Sequence, residues 1–336
     1  MSGKIGNNIG YSSGSVTAPS GGVEIRSDDP TLSEGLMWYN TTANTLKVAR
    51  NIGAWTNGGN LTTARMKLAG CGTQTAGLSI GGYDSGRQDE VEEYNGTAWT
   101  DVSGNLAVAT HALAGCGTQT AGLAFGGSTG SDAYSAECQE YNGTAWTTSG
   151  VGDIGTARRY LAGCGTQSAG LCFGGDTGSR TAECEEYNGT SWTTTSVGDM
   201  GAAASHFYGA GTQSAGLRFG GINAAGNNIA TTEAYNGSSW SSSGDLGTAR
   251  YGVGGSGTQT DALAFGGFVS AVSALTEKHD GSTWSAEDAL TTARSELAGC
   301  GASSGASLSF GGDTGSQSNV TEEFTDVVTA RSVTAS

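Results

Sequence analysis

Seven cysteines, three histidines and several adjacent acid pairs are the residues in this 336-residue chain whose types could do chemistry. Cys71, Cys116, Cys164 and Cys300 fall at one recurring position, Cys138 and Cys184 at another, and Cys172 stands apart. No Cys-x-x-Cys occurs, so the spacing of a thiolate metal site is missing. A disulfide needs Cα atoms about 4.4–6.8 Å apart, closer than equivalent positions of successive repeats. The odd number argues the same way. Small buried thiols packing inner strands are therefore expected. His111, His206 and His279 have no carboxylate or serine at a fixed spacing, which predicts packing or surface positions. Glu92-Glu93 and Glu185-Glu186 would point to opposite faces of a strand, which suggests solvated sheet edges rather than a catalytic dyad. Asn-Gly-Thr and Asn-Gly-Ser match a glycosylation acceptor, but a hairpin turn explains Asn-Gly. No catalytic residue, cofactor or metal is expected.

The elements that hold these residues follow from glycine. Glycine makes up 59 of 336 residues, about 18 %, against roughly 7 % in ordinary proteins. Only 2 residues are proline and no every-third-residue glycine pattern exists, so a collagen helix is ruled out. With 7 Trp, 11 Tyr and 8 Phe in a 36 % hydrophobic chain, disorder is also a poor fit. A turn-rich β-protein remains. Gly-Gly follows an apolar run at 81–82, 126–127, 174–175, 220–221, 266–267 and 311–312, and Trp recurs at 55, 99, 146, 192, 240 and 284. Six units of about 46 residues match the length of a propeller blade. In the second unit the four strand-like pieces are 113–117, 122–127, 136–141 and 144–148. Tyr-Asn-Gly joins the last two strands of four units, and His279-Asp280-Gly281 does so in the fifth. Asn-Gly and Asp-Gly supply the positive φ angles of a tight hairpin. The fold class predicted is all-β, a six-bladed β-propeller of four-stranded antiparallel blades.

The units resemble Kelch repeats: an apolar strand ending in Gly-Gly, an aromatic 12 or 14 residues later, then Trp five residues on. Arg65, Arg158, Arg250 and Arg294 match the arginine that opens many Kelch units, while Thr110 and Ala204 depart from it. The resemblance covers roughly residues 45–326. Kelch oxidases add a copper site of Tyr, His and Cys, and none of it carries over. The sialidase Asp-box also fails, because Asp280 and Gly281 are adjacent. In the sixth unit Phe324 holds the aromatic place and no Trp follows, whereas residues 53–56 form a fourth strand with no Gly-Gly before it. The N-terminal strand 45–56 is thus expected to complete the last blade and remove its open edge. The expected organisation is an N-terminal arm with a short hairpin at 1–44, the propeller at 45–326 and a tail at 327–336.

In such a meander the first and third turns share one face, and the 2–3 and inter-blade loops share the other. Turns GTQTAG and NGTAW repeat almost unchanged, while the 2–3 loops differ in length and chemistry. A loop free to differ can carry recognition. Tyr83, Asp84, Arg87, Tyr134, Asp176, Arg180, Asn227, Asn228, Phe268 and Asp313 are the binding-face candidates.

The net charge of −16 disfavours nucleic acid. No run approaches the 18 apolar residues of a membrane span, and no signal-peptide pattern opens the chain. Residues 34–55, EGLMWYNTTANTLKVARNIGAW, resemble a segment common in bacteriophage tail fibres and other virion appendages. That resemblance implies a non-enzymatic virion structural protein, assembled in the host cytoplasm, whose arm docks on other virion proteins. Its loops would meet a host surface receptor or glycan, and a homo-oligomer would suit such an appendage. Alternatives are a capsid or neck decoration protein, a cellular Kelch interaction module and a carbohydrate-active Kelch enzyme.

Overall fold

Each Gly-Gly pair follows the apolar run of a second strand with both residues at positive φ, from 57° to 71° at the first glycine and from 101° to 111° at the second. Only glycine fits. A Cβ on Gly81 would lie 2.5 Å from the Thr110 carbonyl oxygen. The second glycine donates its N–H to the residue that opens the next unit, as Gly82 does to Thr110 (2.9 Å) and Gly312 to Arg65 (2.8 Å). The repeated glycines are thus joints between neighbouring repeats.

The computed structural model describes residues 9–11, 14–16, 24–27, 30–31 and 36–332. Two compact units result, one of residues 55–325 and one of 1–54 with 326–336. The larger unit is a six-bladed propeller. Its first blade comprises Ala69–Thr73, Ala76–Tyr83, Arg87–Tyr94 and Trp99–Asp101, paired antiparallel in that order. Blades 2 to 5 repeat this order, opening at Ala114, Ala162, Tyr208 and Gly254. Blade 6 has Ala298–Ser303, Ala306–Phe310 and the start of Thr321–Ser332. The six first strands adjoin one another around the axis, the sixth against the first.

The repeated side chains staple blade to blade. Gln119 of the first turn donates to the carbonyls of Gly77 (3.0 Å) and Tyr94 (2.7 Å) in the preceding blade. Gln167, Gln213 and Gln259 do the same one blade further on each time. The Tyr141, Tyr187 and Tyr235 hydroxyls each donate at 2.9 Å to a third-strand glutamate of the preceding blade: Glu93, Glu140 and Glu186. Except in blade 2, where the preceding blade offers Ile80, the fourth-strand tryptophans lie against the preceding blade's second-strand phenylalanine, as Trp192 on Phe125 and Trp284 on Phe219, both 4.9 Å between centroids.

Within a blade the tie is ionic. Arg65, Arg158, Arg250 and Arg294 are fully buried, and each meets a third-strand glutamate: Glu92, Glu185, Glu277 and Glu322. The glutamates also accept N–H bonds from the incoming loop, as Glu92 from Thr62 and Glu185 from Gly155, both at 2.7 Å. Glu92 and Glu185 are thus interior, and the expectation of solvated edges is corrected: one acid of each pair faces the blade's own arginine, the other the next blade's tyrosine. Blade 4 has Ala204 at the arginine position and supplies Arg218 from its second strand to Glu233 at 2.9 Å. Blade 2 carries neither charge. Thr110 replaces the arginine and Gln139 the glutamate, and the Gln139 amide oxygen accepts from Ala107 N at 3.0 Å. Arginine and carboxylate are kept or dropped together, as the cost of an unpaired buried charge requires.

Trp55 has the surroundings of a fourth-strand tryptophan. It contacts Phe265 (5.0 Å) and Phe324 (5.2 Å), and its Nε1 donates to Thr276 Oγ1 at 3.0 Å. Trp99 and Trp284 donate likewise to Thr321 and Thr232. Next to it, Thr56 Oγ1 donates to Glu323 O and Gly58 N to Thr321 O.

In the smaller unit, Met37–Asn40 pairs with Thr45–Asn57 as a hairpin, Met37 opposite Val48 and Asn40 opposite Thr45. The turn is formed by residues 41–44. Most of the segment 1–35, expected to dock, lies outside the described residues. The expected tail from 327 is instead strand as far as Ser332, and residues 333–336 are not described.

Arg250→Met, which strands the Glu277 carboxylate, should lower the unfolding free energy by about 3–5 kcal/mol. Arg250→Thr with Glu277→Gln, the pair blade 2 already uses, should recover a substantial part of that loss in chemical denaturation. Equal losses would show that charge compensation is not what the position demands. The expectation that 45–56 closes the ring is tested separately: Trp55→Ala should cost about 3–5 kcal/mol and lower the melting temperature of the propeller as a whole, whereas an unchanged transition would refute it.

Candidate binding site

Between each opening arginine position and the first strand stands a residue that repeats in conformation but not in type. These are Lys67, Ala112, Tyr160, His206, Gly252 and Glu296, with φ between 52° and 60°. Their peptide groups form a closed hydrogen-bonded cycle around the axis. Ala112 N donates to Lys67 O, Tyr160 N to Ala112 O and His206 N to Tyr160 O; Gly252 N donates to His206 O, Glu296 N to Gly252 O and Lys67 N to Glu296 O, all at 2.8–3.0 Å. Left-handed backbone at a non-glycine residue costs about 1–2 kcal/mol, and the cycle is what holds five such residues in place.

The six line an axial cavity of about 90 Å³ on the face that carries the 2–3 loops. Its floor is Tyr208, which stands where the other first strands have Ala69, Ala114, Ala162, Gly254 and Ala298. The Tyr208 hydroxyl crosses to donate to Gly299 O at 2.6 Å, and its ring lies over Gly255, where a Cβ would come within 2.7 Å of it. Beyond it, a second cavity of about 120 Å³ is walled by glycines and by Cys71, Cys116, Cys164, Ser256 and Cys300. All seven cysteines are buried and none is in a disulfide. Burial pushes the Cys71 thiol up to about 12, which makes it a packing group rather than a nucleophile.

The polar wall is compact. Tyr160 stacks on His206 with centroids 3.6 Å apart, and the Lys67 ammonium lies 5.6 Å above the Tyr160 ring. Burial, and then the Arg180, Lys67 and Arg159 charges, hold His206 neutral with its pKa down to about 3. Burial raises the Glu296 carboxyl to about 7, with Asp313 adding to the shift and Lys67 opposing it. Burial works against the Lys67 charge, but the Tyr160 hydroxyl and Glu296 outweigh it and raise its pKa. The pocket therefore offers a cation, a carboxyl whose raised pKa favours its neutral form and a neutral imidazole.

None of the expected binding-face residues lines this cavity; they lie in or beside the 2–3 loops, and several of them join neighbouring blades. Arg87 pairs with Asp132 at 2.5 Å, and Arg159 reaches both Asp176 (3.4 Å) and the ring of Tyr134 (5.0 Å). Arg180 Nε donates to Ser205 Oγ at 3.2 Å, and Asn228 Nδ2 to the carbonyls of Phe268 and Val269. The Asp84 carbonyl accepts from Gln317 at 3.1 Å. Tyr83 lies against His111 (5.6 Å) and Phe268 against Tyr251 (5.3 Å). Asn227 is exposed, and the Asp313 carboxylate accepts from Gly315 N at 2.8 Å. None of the six axial residues is among the expected binding-face residues, and His206 was expected only to pack or to lie at the surface. Their signal was available: between an opening position and the apolar residue three later, one site takes six different residue types.

Glu90, Glu92 and Asp101 also gather closely, but Arg65 already engages Glu92 (2.6 Å) and lies 3.6 Å from Glu90. No protein-family model matches the chain, and no curated protein is significantly similar to it.

Because the native state holds a proton on Glu296 that the unfolded chain releases at about 4.5, ionising it costs stability as pH rises from there to about 7. Glu296→Gln should accordingly gain stability relative to the parent over that window, read as a difference in melting temperature that grows with pH. A difference independent of pH would contradict the raised carboxyl.

Proposed function

We propose that this chain is a non-enzymatic recognition protein of a virion appendage, whose propeller presents its variable face to a host surface ligand. The carrying observation is a segregation. The repeated Gln, Tyr, Trp, Arg and Glu side chains are consumed by blade-to-blade and within-blade bonds, while the non-repeating ones converge on one face around one cavity. A rigid scaffold with diverse loops on one side suits binding. Partly exposed Tyr83, Tyr134, Tyr251 and Phe268 supply amphipathic contact area there. Support for the virion setting is the hairpin at 37–48, which carries the Trp-Tyr-Asn and Asn-Thr-Leu-Lys phrases of the appendage-like segment. The Kelch-like pattern of the units supports an interaction role in the same way. The docking partners would be other virion proteins, reached through the N-terminal arm.

On an array of bacterial surface polysaccharides, the full chain should bind a subset, and Phe268→Ala or Tyr134→Ala should weaken that binding at least fivefold without shifting the melting temperature. Binding that ignores both substitutions, or none at all, would overturn the recognition face. Deleting residues 1–35 should abolish incorporation into particles while leaving the propeller folded; unaffected incorporation would remove the docking role.

A further inference from the structure

Ten lysines and arginines lie between Trp55 and Thr325. Arg65, Arg158, Arg218, Arg250 and Arg294 are fully buried inside blades. Of the other five, Lys67, Arg87, Arg159 and Arg180 all stand on the variable face, and only Lys278 lies elsewhere, in the third strand of blade 5. Arg87 and Arg159 are matched by Asp132 and Asp176. Among the described residues, no carboxylate lies within ion-pair distance of Lys67 or Arg180. Lys67 is half-buried in the wall of the axial cavity and turned toward the Tyr160 ring. The Lys67 ammonium thus stands beside the cavity with no ion-pair partner among the described residues, held charged by the Tyr160 hydroxyl and the nearby Glu296.

We infer that the axial cavity takes the carboxylate of a terminal acidic sugar, with Lys67 as its ionic partner and Tyr160 and Glu296 flanking it. This rests on the recognition reading and names the ligand class for the same face. Size favours a single terminal residue, because about 90 Å³ admits a carboxylate and part of a ring but no length of chain. The −16 net charge disfavours a polyanion, whose remaining charges would meet an acidic surface, and leaves a lone anionic group as the better fit. The rim favours a sugar over a peptide carboxylate. On the same face, outside the cavity lining, the Tyr251–Phe268 and Tyr83–His111 pairs offer flat apolar faces beside polar groups, and Tyr251 lies 5.8 Å from the His206 ring of the cavity wall. Burial raises the Glu296 carboxyl to about 7, so its protonated form can donate a hydrogen bond to the ligand's carboxylate.

The test uses the full chain with oligosaccharides ending in a uronic acid, their methyl esters, their neutral parents and an acidic peptide. Lys67→Met, Phe268→Ala and the control Lys278→Met are compared with the parent, each checked for an unchanged melting temperature. Binding of the acid, with a loss of at least about tenfold for the methyl ester and for Lys67→Met and none for Lys278→Met, is the expected result. Equal binding of acid, ester and neutral parent, lost in Phe268→Ala but not in Lys67→Met, overturns the acidic-sugar assignment and leaves the recognition face standing. Preference for the acidic peptide overturns it too. Binding to none of these probes also overturns it, and the polysaccharide array then decides the fate of the recognition face by itself.

Discussion

A buried arginine facing a buried glutamate is the constraint around which the blades are built. The pair joins the residue that opens a blade to its third strand, and the same carboxylate also holds the incoming loop by an N–H bond. Arg65 further donates to Gly81 O, Glu90 O and Ser79 Oγ, so its guanidinium is engaged from several sides. Such a tie adds little net stability over an apolar contact of equal volume, but it is costly to break halfway. That asymmetry accounts for blade 2, where both charges are gone, and blade 4, where the cation arrives from another strand. The chain tolerates loss of the pair or relocation of one partner, and it avoids an orphan.

Around this tie the molecule divides its residues into two populations. One repeats and faces neighbouring blades: the glutamine of the first turn, the tyrosine of the third strand, the tryptophan of the fourth. The other varies and collects near the axis. Burial pushes the Tyr94 hydroxyl up to about 12, with Glu323 adding to the shift, so the tyrosine remains a donor to the preceding blade at every physiological pH. By contrast, the Glu296 carboxyl of the axial cavity changes charge within that range.

The propeller itself was legible because its joints are backbone demands. A positive φ calls for glycine, a tight hairpin for Asn-Gly, and both recur at the blade period. Trp55 was legible for the same reason, as a tryptophan at the right spacing without its own Gly-Gly. What escaped was anything that depends on which side chains meet across blades. Glu92-Glu93 reads as a solvent-facing acid pair until Arg65 and Tyr141 are placed on either side of it. Lys67, Tyr160, His206 and Glu296 lie tens of residues apart and share no type, so only the closed ring brings them together. Tyr208 is a single departure in a row of small residues, and its role as a floor needs the opposite wall, Gly255 and Gly299, to be seen.

The cycle of six peptide hydrogen bonds at the axis has a consequence for how such a protein diversifies. Each position is secured through its main chain, by a neighbour's carbonyl on one side and a neighbour's N–H on the other. The side chain is therefore relieved of any structural duty. Residues as unlike as glycine, lysine, tyrosine and glutamate occupy equivalent places with the backbone almost superimposable, within 8° in φ across the range 52° to 60°. The ring behaves as a row of sockets: its contents can be exchanged one at a time, and specificity can drift quickly while the frame that displays it stays as it is.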